Sequence, residues 1–595
     1  MDIYNMGRLS DGDHLLSNID LSKTIFWVGC GVSINDPTGL PSGQELTEFY
    51  IKHALGEDCG TVFLNKWSSL CETISMTTED DTVHNYEIKM QIPRLEFIIN
   101  CVDDVDKELQ CAKLPVKKMI EGFRHMDMCS PNHNHHLLGQ LFLHGATIVT
   151  PNFDTCIERS LDVSLETDSS YAFPVYQNQG KSIYHYHETV HNTEGMGATI
   201  RKMKSGLNEG MRKDLLKFLN DGYNLICVGF SGSDFFDVTP FFSELSENFS
   251  CKFKGKAIFF YHQGTNYGVS KNNIRIAEKM FGAFCDKMIL YGDTCAFFER
   301  ICKSQQIGIS EHTQGKTIQK LWRTGFSVPS HLQSKLYLTT ILKRTDLLLT
   351  EDYLCGEFSA YKDVETFLES VGNDMLQYDI GSYIDCYAQD KNISTIDNLI
   401  KLCKRQGFVY GNYHALVQEL HYNNKIHSNS KRKSLDDVYS IVNNSNVDEL
   451  ANDSATVYAF NRLANDAFKN HDKDSINKLI TCANVLIKIP YHQFMYVSYF
   501  LDVFQSYWKL ISTGDFNKFE QSVRDKLSNN IEIAAEINGP IIVAQMYSCL
   551  EAIYNDEHNI HPDSGYDRIA QKYAGYAKNV NRHLWTSKKS PSIRA

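Results

Sequence analysis

Short apolar runs alternate with amphipathic stretches over the first half of the chain, and only amphipathic stretches follow. Runs rich in β-branched and aromatic residues fall at 24–28, 146–149, 182–186, 224–228, 256–261 and 287–290. Several of them end in Gly, Asn, Ser or Asp, which is how a buried strand gives way to a turn. Between the runs, residues 134–143 carry Leu137, Leu138 and Leu141 on one helical face, and residues 211–219 carry Leu215, Leu216 and Leu219. This alternation predicts a doubly wound parallel α/β sheet over 1–305. Segment 51–130 has no strand pattern and is expected to be a helical insertion after the first strand.

From about residue 306 the period is helical throughout, which predicts an all-α domain over 306–595. Ser394 with Asp397 three residues on resembles a capping box, and Ile396, Leu399, Ile400 and Cys403 form an apolar stripe behind it. Val457, Phe460, Ala464, Ala467 and Phe468 make a second stripe, and Pro540 after Gly539 fits a helix start. Helices separated by short polar turns would stack in pairs, although no repeat signature is visible. The stretch 423–433, NNKIHSNSKRK, reads as an exposed loop.

Composition narrows the class. The chain has 595 residues, 42% hydrophobic and 22% charged, as in a soluble protein of two or more domains. A net charge of -13 argues against a protein coated in nucleic acid, leaving only Lys431-Arg432-Lys433 as a basic patch. No apolar run approaches the roughly 20 residues of a membrane helix, and the N-terminal sequence lacks a signal-peptide pattern. Seventeen scattered cysteines without a C-x-x-C are expected to be reduced and mostly buried, in a cytoplasmic protein without a zinc ribbon.

Candidate chemistry sits at the strand ends. Gly29-Cys30-Gly31-Val32-Ser33 follows the first run, and its glycines suit either an ordinary βα turn or close approach to a phosphate. Pro41-Ser42-Gly43 is by itself a helix start. Thr150-Pro151-Asn152-Phe153-Asp154 follows the second run; Asn152 and Asp154 alternate, so they share a direction, or else they cap a helix at 155–161. His133, His135 and His136 have no second cluster to complete a metal site and read as packing or surface residues. His187 ends the third run, with His185 competing two residues earlier on the same face. Gly229-Phe230-Ser231-Gly232-Ser233-Asp234 fits a second phosphate or ribose cradle, and Gly292-Asp293-Thr294 a third loop. Gln179-Gly180-Lys181-Ser182 ends like a P-loop, but Val175 stands where the first glycine is needed.

The ordered set G-C-G-V-S, P-S-G, P-N-H-N-H, T-P-N-F-D, a strand ending at His187, G-A-T-I from Gly197, G-F-S-G-S-D and a late G-D-T spans about residues 30–295. It resembles the sirtuin-like (SIR2-like) family, and more closely the sirtuin-like domains of bacterial anti-phage defence proteins. The resemblance implies a Rossmann-like NAD-binding domain. Gly29, Gly31 and Ser33 would line the pyrophosphate. Asn152 would hold the nicotinamide ribose or a water, Asp154 would contact the carboxamide, and His187 would be the general base. Gly229 and Ser231 would belong to the second cradle, with Ser231 and Asp293 serving the adenosine half.

Two departures redirect the expected activity. Glu188 follows His187 where sirtuin deacylases have Gly, and no four-cysteine zinc module follows. What remains is the machinery for cleaving NAD+ to ADP-ribose and nicotinamide, with NAD+ as substrate and no zinc. The alternatives are a module that senses NAD or ADP-ribose without cleaving it, and a protein deacylase or ADP-ribosyltransferase. The resemblance also implies a homo-oligomer whose toxic activity is controlled by the C-terminal half or by a partner, such as an ATPase of the HerA type or a phage protein acting as trigger. Neither a membrane nor directly bound nucleic acid is expected.

Overall fold

A computed structural model gives the architecture. It describes chiefly residues 1–55, 119–230, 238–309, 430–445, 473–488 and 565–585, with scattered positions between and short gaps within these spans. Contacts divide the chain into two compact units. One comprises Met1–Leu46 and Lys117–Ser327, the other Thr47–Val116 and Val328–Ala595.

The first unit is built on a nine-stranded sheet. Its strands are β1 (Asp2–Asn5), β2 (Thr24–Val28), β3 (Thr147–Thr150), β4 (Glu166–Thr167), β5 (Val175–Asn178), β6 (Lys181–His185), β7 (Asn224–Val228), β8 (Phe253–His262) and β9 (Phe284–Gly292). Their order is β1-β9-β8-β7-β2-β3-β6-β5-β4. All neighbours pair in parallel except β6 with β5 and β5 with β4. β2 lies in the middle; β3 and then β6 step outward on one side, and β7, β8 and β9 on the other. That is the strand arrangement of doubly wound, Rossmann-like sheets, with the switch point beside β2.

The six strands read from the sequence are all present, with ends displaced by up to three residues. β1, β4 and β5 were not foreseen, because they are short and at least partly exposed and so lack a continuous apolar run. The Gln179-Gly180-Lys181-Ser182 string turns out to span the β5–β6 hairpin. Gln179 (φ 48°) and Gly180 (φ 79°) form its two-residue turn, in the left-handed conformation such turns require.

Period-two alternation sends the strand side chains to two cores. On one face Ile25, Trp27, Leu225, Cys227 and Phe259 pack with Leu215 and Leu219 of α4 (Glu209–Asn220) and Phe242 of α5 (Val238–Asn248); α6 (Lys271–Phe281) adds Met280 and Phe281. On the other, Phe26, Val28, Ile148 and Phe260 pack with Leu138 and Leu141 of α2 (His133–Leu143) and Phe297 and Phe298 of α7 (Thr294–Ser304). Two further helices lie in this part of the chain: α1 (Gly43–Leu55) after β2 and the single turn α3 (Cys156–Arg159) after β3. Ser42 and Glu45 cap the start of α1 reciprocally, so the P-S-G string acts as a helix start.

The described residues of 51–130 contain no strand, and most of the expected insertion lies outside them. Beyond residue 309 the described elements are helical: α8 (Ser430–Asn444), α9 (Lys473–Leu486) and α10 (Tyr566–Trp585). Phe460, Ala464 and Ala467 of the second stripe are helical and buried. Val457, Phe468, the helix expected at Ser394 and the one at Pro540 lie outside the described residues. The basic end of the supposed loop 423–433 is instead the first turn of α8, since Ser430–Lys433 are helical. No helix among the described residues is long and apolar enough to cross a membrane.

One cysteine expectation needs correcting. Cys251 and Cys285, 34 positions apart in sequence, are joined by a disulfide, because parallel pairing brings the starts of β8 and β9 side by side. Of the free cysteines described, Cys129, Cys156, Cys227, Cys302 and Cys482 are buried, Cys295 is half-buried and Cys30 is exposed.

At the switch point the loops after β2 and β7 touch backbone to backbone. The amide of Gly29 donates to the Val228 carbonyl and that of Gly31 to the Gly229 carbonyl, both at 3.0 Å. A Cβ on Gly29 would lie 2.4 Å from the Gly229 oxygen and 2.7 Å from Phe230 Cα, and Gly229 itself holds φ 63°. The obstructing atoms are main chain and cannot swing aside. Gly29→Ala should therefore destabilise the first unit by about 3 kcal/mol or more, at or beyond the upper end of ordinary overpacking. A denaturant midpoint within error of wild type would overturn this account of the switch point.

Candidate active site at the carboxyl ends of the central strands

Most of the residues singled out by the sequence fall into three groups at this edge of the sheet. Gly29, Gly31 and Gly229 form the first, and their close packing accounts for glycine at all three positions. Ser231 lies outside the described residues.

Ser33, Asn152 and Asp154 form the second group, and they converge on one atom. Ser33 is fully buried. Its Oγ donates to Asp154 Oδ2 at 3.1 Å and accepts from Asn152 Nδ2 at 3.4 Å. Asn152 and Asp154 thus do share a direction. Asp154 also does part of the capping work: its Oδ1 accepts from the Cys156 amide at 3.1 Å, while Asp127 takes the amide and hydroxyl of Thr155. The helix that follows is α3, shorter than the span expected.

Two members of this network were missed in the sequence. Asn132 is the N-cap of α2, with its side chain accepting from the His135 amide; its Nδ2 donates to the carbonyls of Val32 (2.8 Å) and Asn35 (3.1 Å), pinning the loop after β2. His135 is fully buried rather than a packing or surface residue without a polar role. The Asn132 amide donates to its Nδ1 at 3.1 Å, which fixes the proton on Nε2; Nε2 then donates to Ser33 Oγ at 3.0 Å. Burial pushes the His135 pKa down to about 4; the Asp154 charge opposes that shift, while His136 and Arg159 reinforce it. The imidazole is neutral at pH 7. His135, Asp154 and Cys156 do lie close together, but both ring nitrogens are already engaged by groups outside the trio, so it is a poor metal ligand set.

One polar atom in this group stands apart. Asn152 is 7% exposed, its Nδ2 and its backbone groups are engaged, and its Oδ1 is buried with no hydrogen-bond partner among the described residues. A buried acceptor left this way costs about 1–3 kcal/mol, which a bound donor would recover.

The third group is the pair of histidines at the end of β6. His185 is buried, with Nδ1 3.0 Å from the Asn152 carbonyl and Nε2 2.6 Å from Glu158 Oε1. Both nitrogens face acceptors, so both carry protons. Burial opposes the charge, but the Glu158 carboxylate, its hydrogen bond and the Asn152 carbonyl outweigh it and raise the pKa. His185 is thus a charged strut beneath Asn152 and has no free nitrogen with which to act as a base. His187, by contrast, is half-buried. Its ring sits edge-on to Tyr186, which packs on Trp27. A Cβ on Gly197 would meet the His187 Cγ at 3.2 Å, so the G-A-T-I glycine lets the chain pass close to the ring. Glu188 holds φ 71°, a conformation that favours glycine, at the position where the sequence departs from its resemblance.

Asp293 belongs to none of these groups. It caps α7, accepting from the Ala296 amide at 2.8 Å. No protein-family model and no characterised protein matches the chain.

The two buried histidines give opposite pH dependences. His135 is neutral when folded and titrates normally when unfolded, so stability falls as pH drops from 6.5 towards 4, by about 3 kcal/mol in all. His135→Gln should flatten that part of a plot of melting temperature against pH; an unchanged slope would count against the tautomer assigned. His185 has a raised folded pKa, so its contribution is complete below 6.5 and is lost as pH rises through that folded value. His185→Leu leaves Glu158 buried without its cation and should cost about 3–5 kcal/mol by denaturant unfolding.

Proposed function

We propose that the protein is an NAD+ glycohydrolase, cleaving NAD+ to ADP-ribose and nicotinamide. The observation that carries the reading is the unpartnered Asn152 Oδ1, buried beside the switch point of a Rossmann-like sheet, where doubly wound folds bind dinucleotides. The sequence resemblance to sirtuin-like defence proteins adds the substrate. The left-handed backbone at Glu188 adds to it, since it keeps a conformation suited to the glycine found there in deacylases.

The chemistry asks little of the protein. Nicotinamide leaves from C1′ as a neutral base because its ring is cationic in NAD+, so no general acid is needed. The ribose passes through an oxocarbenium-like state, as in glycoside cleavage. In this reading Asn152 Oδ1 accepts from a ribose hydroxyl or from the attacking water, and Asp154 faces the carboxamide. His187 takes the proton as the water oxygen bonds to C1′. Gly29, Gly31, Ser33 and Gly229 shape the pyrophosphate loop, with Ser231 and Asp293 toward the adenosine. Ser33 and His135 hold Asn152 and Asp154 in register from below.

Without the zinc module that braces an acyl-lysine cleft, water is the acceptor. Such an activity depletes NAD in the cytoplasm, which fits anti-phage defence by abortive infection. The helical C-terminal half would then act as sensor, assembly surface or cover, in a homo-oligomer or under a partner ATPase or phage trigger.

The test is to incubate purified protein with NAD+, with and without candidate triggers, and to separate the products. Nicotinamide and ADP-ribose should appear in equal amounts, and Asn152→Ala and His187→Ala should each slow release by about 10²–10⁴-fold. Release that survives Asn152→Ala would sink the site. Saturable NAD+ binding without cleavage under any condition would favour a sensor, and an acylated ribose product formed only with acyl-peptide would favour a deacylase.

A further inference from the structure

Away from the Ser33 network, helices α2 and α7 place three ligand-type side chains together. His133 is the first residue of α2, and Cys295 and Glu299 stand four apart on one face of α7. His133 Nε2 lies 3.4 Å from Glu299 Oε1, and Cys295 Sγ lies 3.7 Å from the same oxygen. All three ligand atoms fall within 4.8 Å of one another. A tetrahedral ion with bonds of about 2.0 Å to N and O and about 2.3 Å to S holds N and O about 3.3 Å apart and S about 3.5 Å from either. The two separations lie within about 0.2 Å of those edges, so no side chain has to move far.

We propose that His133, Cys295 and Glu299 form a binding site for a divalent transition-metal ion of the zinc class, tying α2 to α7. An imidazole, a thiolate and a carboxylate together select zinc-like ions over magnesium or calcium. With three protein ligands, the fourth tetrahedral position belongs to water. The site is half-buried, which leaves a path for the ion to enter. Without metal, burial, together with Glu299 and Asp293, pushes the Cys295 thiol up to about 12. Binding therefore expels the thiol proton to solvent as the sulfur–metal bond forms. Lys303, which reaches the other oxygen of Glu299 at 3.4 Å, is largely exposed and free to turn to water. The site is independent of the NAD+ reading, because none of its three residues is placed in the catalytic network.

The full chain, stripped with chelator and kept reduced, is titrated with cobalt(II) while the thiolate-to-cobalt absorption band is followed. Zinc is then added in competition. A band that saturates at one equivalent, is displaced by zinc and disappears in Cys295→Ser is the expected result. His133→Gln and Glu299→Gln should each weaken apparent binding by about tenfold or more. His133 is one-third exposed, so its variant tests the site even where Cys295→Ser fails to fold. No saturable band in wild type, or a band of equal strength in folded Cys295→Ser and His133→Gln, would overturn the proposal and leave the trio as a hydrogen-bonded helix contact.

Discussion

The site rests on two parallel strands that lie side by side at the centre of the sheet and whose exit loops pass within backbone contact. β2 and β7 are that pair. The loop beginning at Gly29 donates two amide-to-carbonyl bonds, both 3.0 Å, to Val228 and Gly229 at the end of β7, with no room for a Cβ between them. Everything nearby takes its position from this contact. Gly31 is held against Gly229, the following turn closes from Ser33 to Cys30, and Ser33 is thereby delivered beneath Asn152 and Asp154. The cap of α2 then fixes the far end of the same loop through Asn132.

Around Ser33 the protein shifts two imidazole pKa values in opposite directions within one small region. The difference comes from what each ring meets. The Nδ1 of His135 meets an amide donor, and burial removes its charge. His185 meets a carbonyl and a carboxylate, and these raise its pKa in spite of burial. Both are linked to Asn152, one through the Ser33 hydroxyl and the other through its own carbonyl. Asn152 is therefore held from two sides, its side chain by the Ser33 hydroxyl and its carbonyl by His185, which is how a rigid scaffold presents an unsatisfied acceptor.

Much of this was legible in the sequence, and the missing parts share a cause. The central strands are continuous apolar runs, so their existence and near ends follow from period and composition. β1, β4 and β5 are short and at least partly exposed, at or next to the edges of the sheet, and strands of that kind leave no comparable trace. Ser33, Asn152 and Asp154 were readable as candidates because each closes a strand. Their convergence, and the part played by His135, was not readable: the partners lie 102 and 121 positions apart, and a histidine inside a capped helix looks the same whether it only packs or also donates. The choice between His185 and His187 likewise turns on Glu158, which nothing in the local pattern marks.

Trp27 lies under all of this. Its fully buried indole touches Tyr186, beside His187, at a ring separation of 5.4 Å, and Phe230, beside Gly229, at 6.3 Å. The ring is fixed by a central strand and packed at interior density, so it cannot yield to either neighbour. The loops after β6 and β7 are therefore mechanically linked through one rigid wedge. A ligand that displaced either ring would open a void against the indole, so both sides of the switch point share one packing constraint.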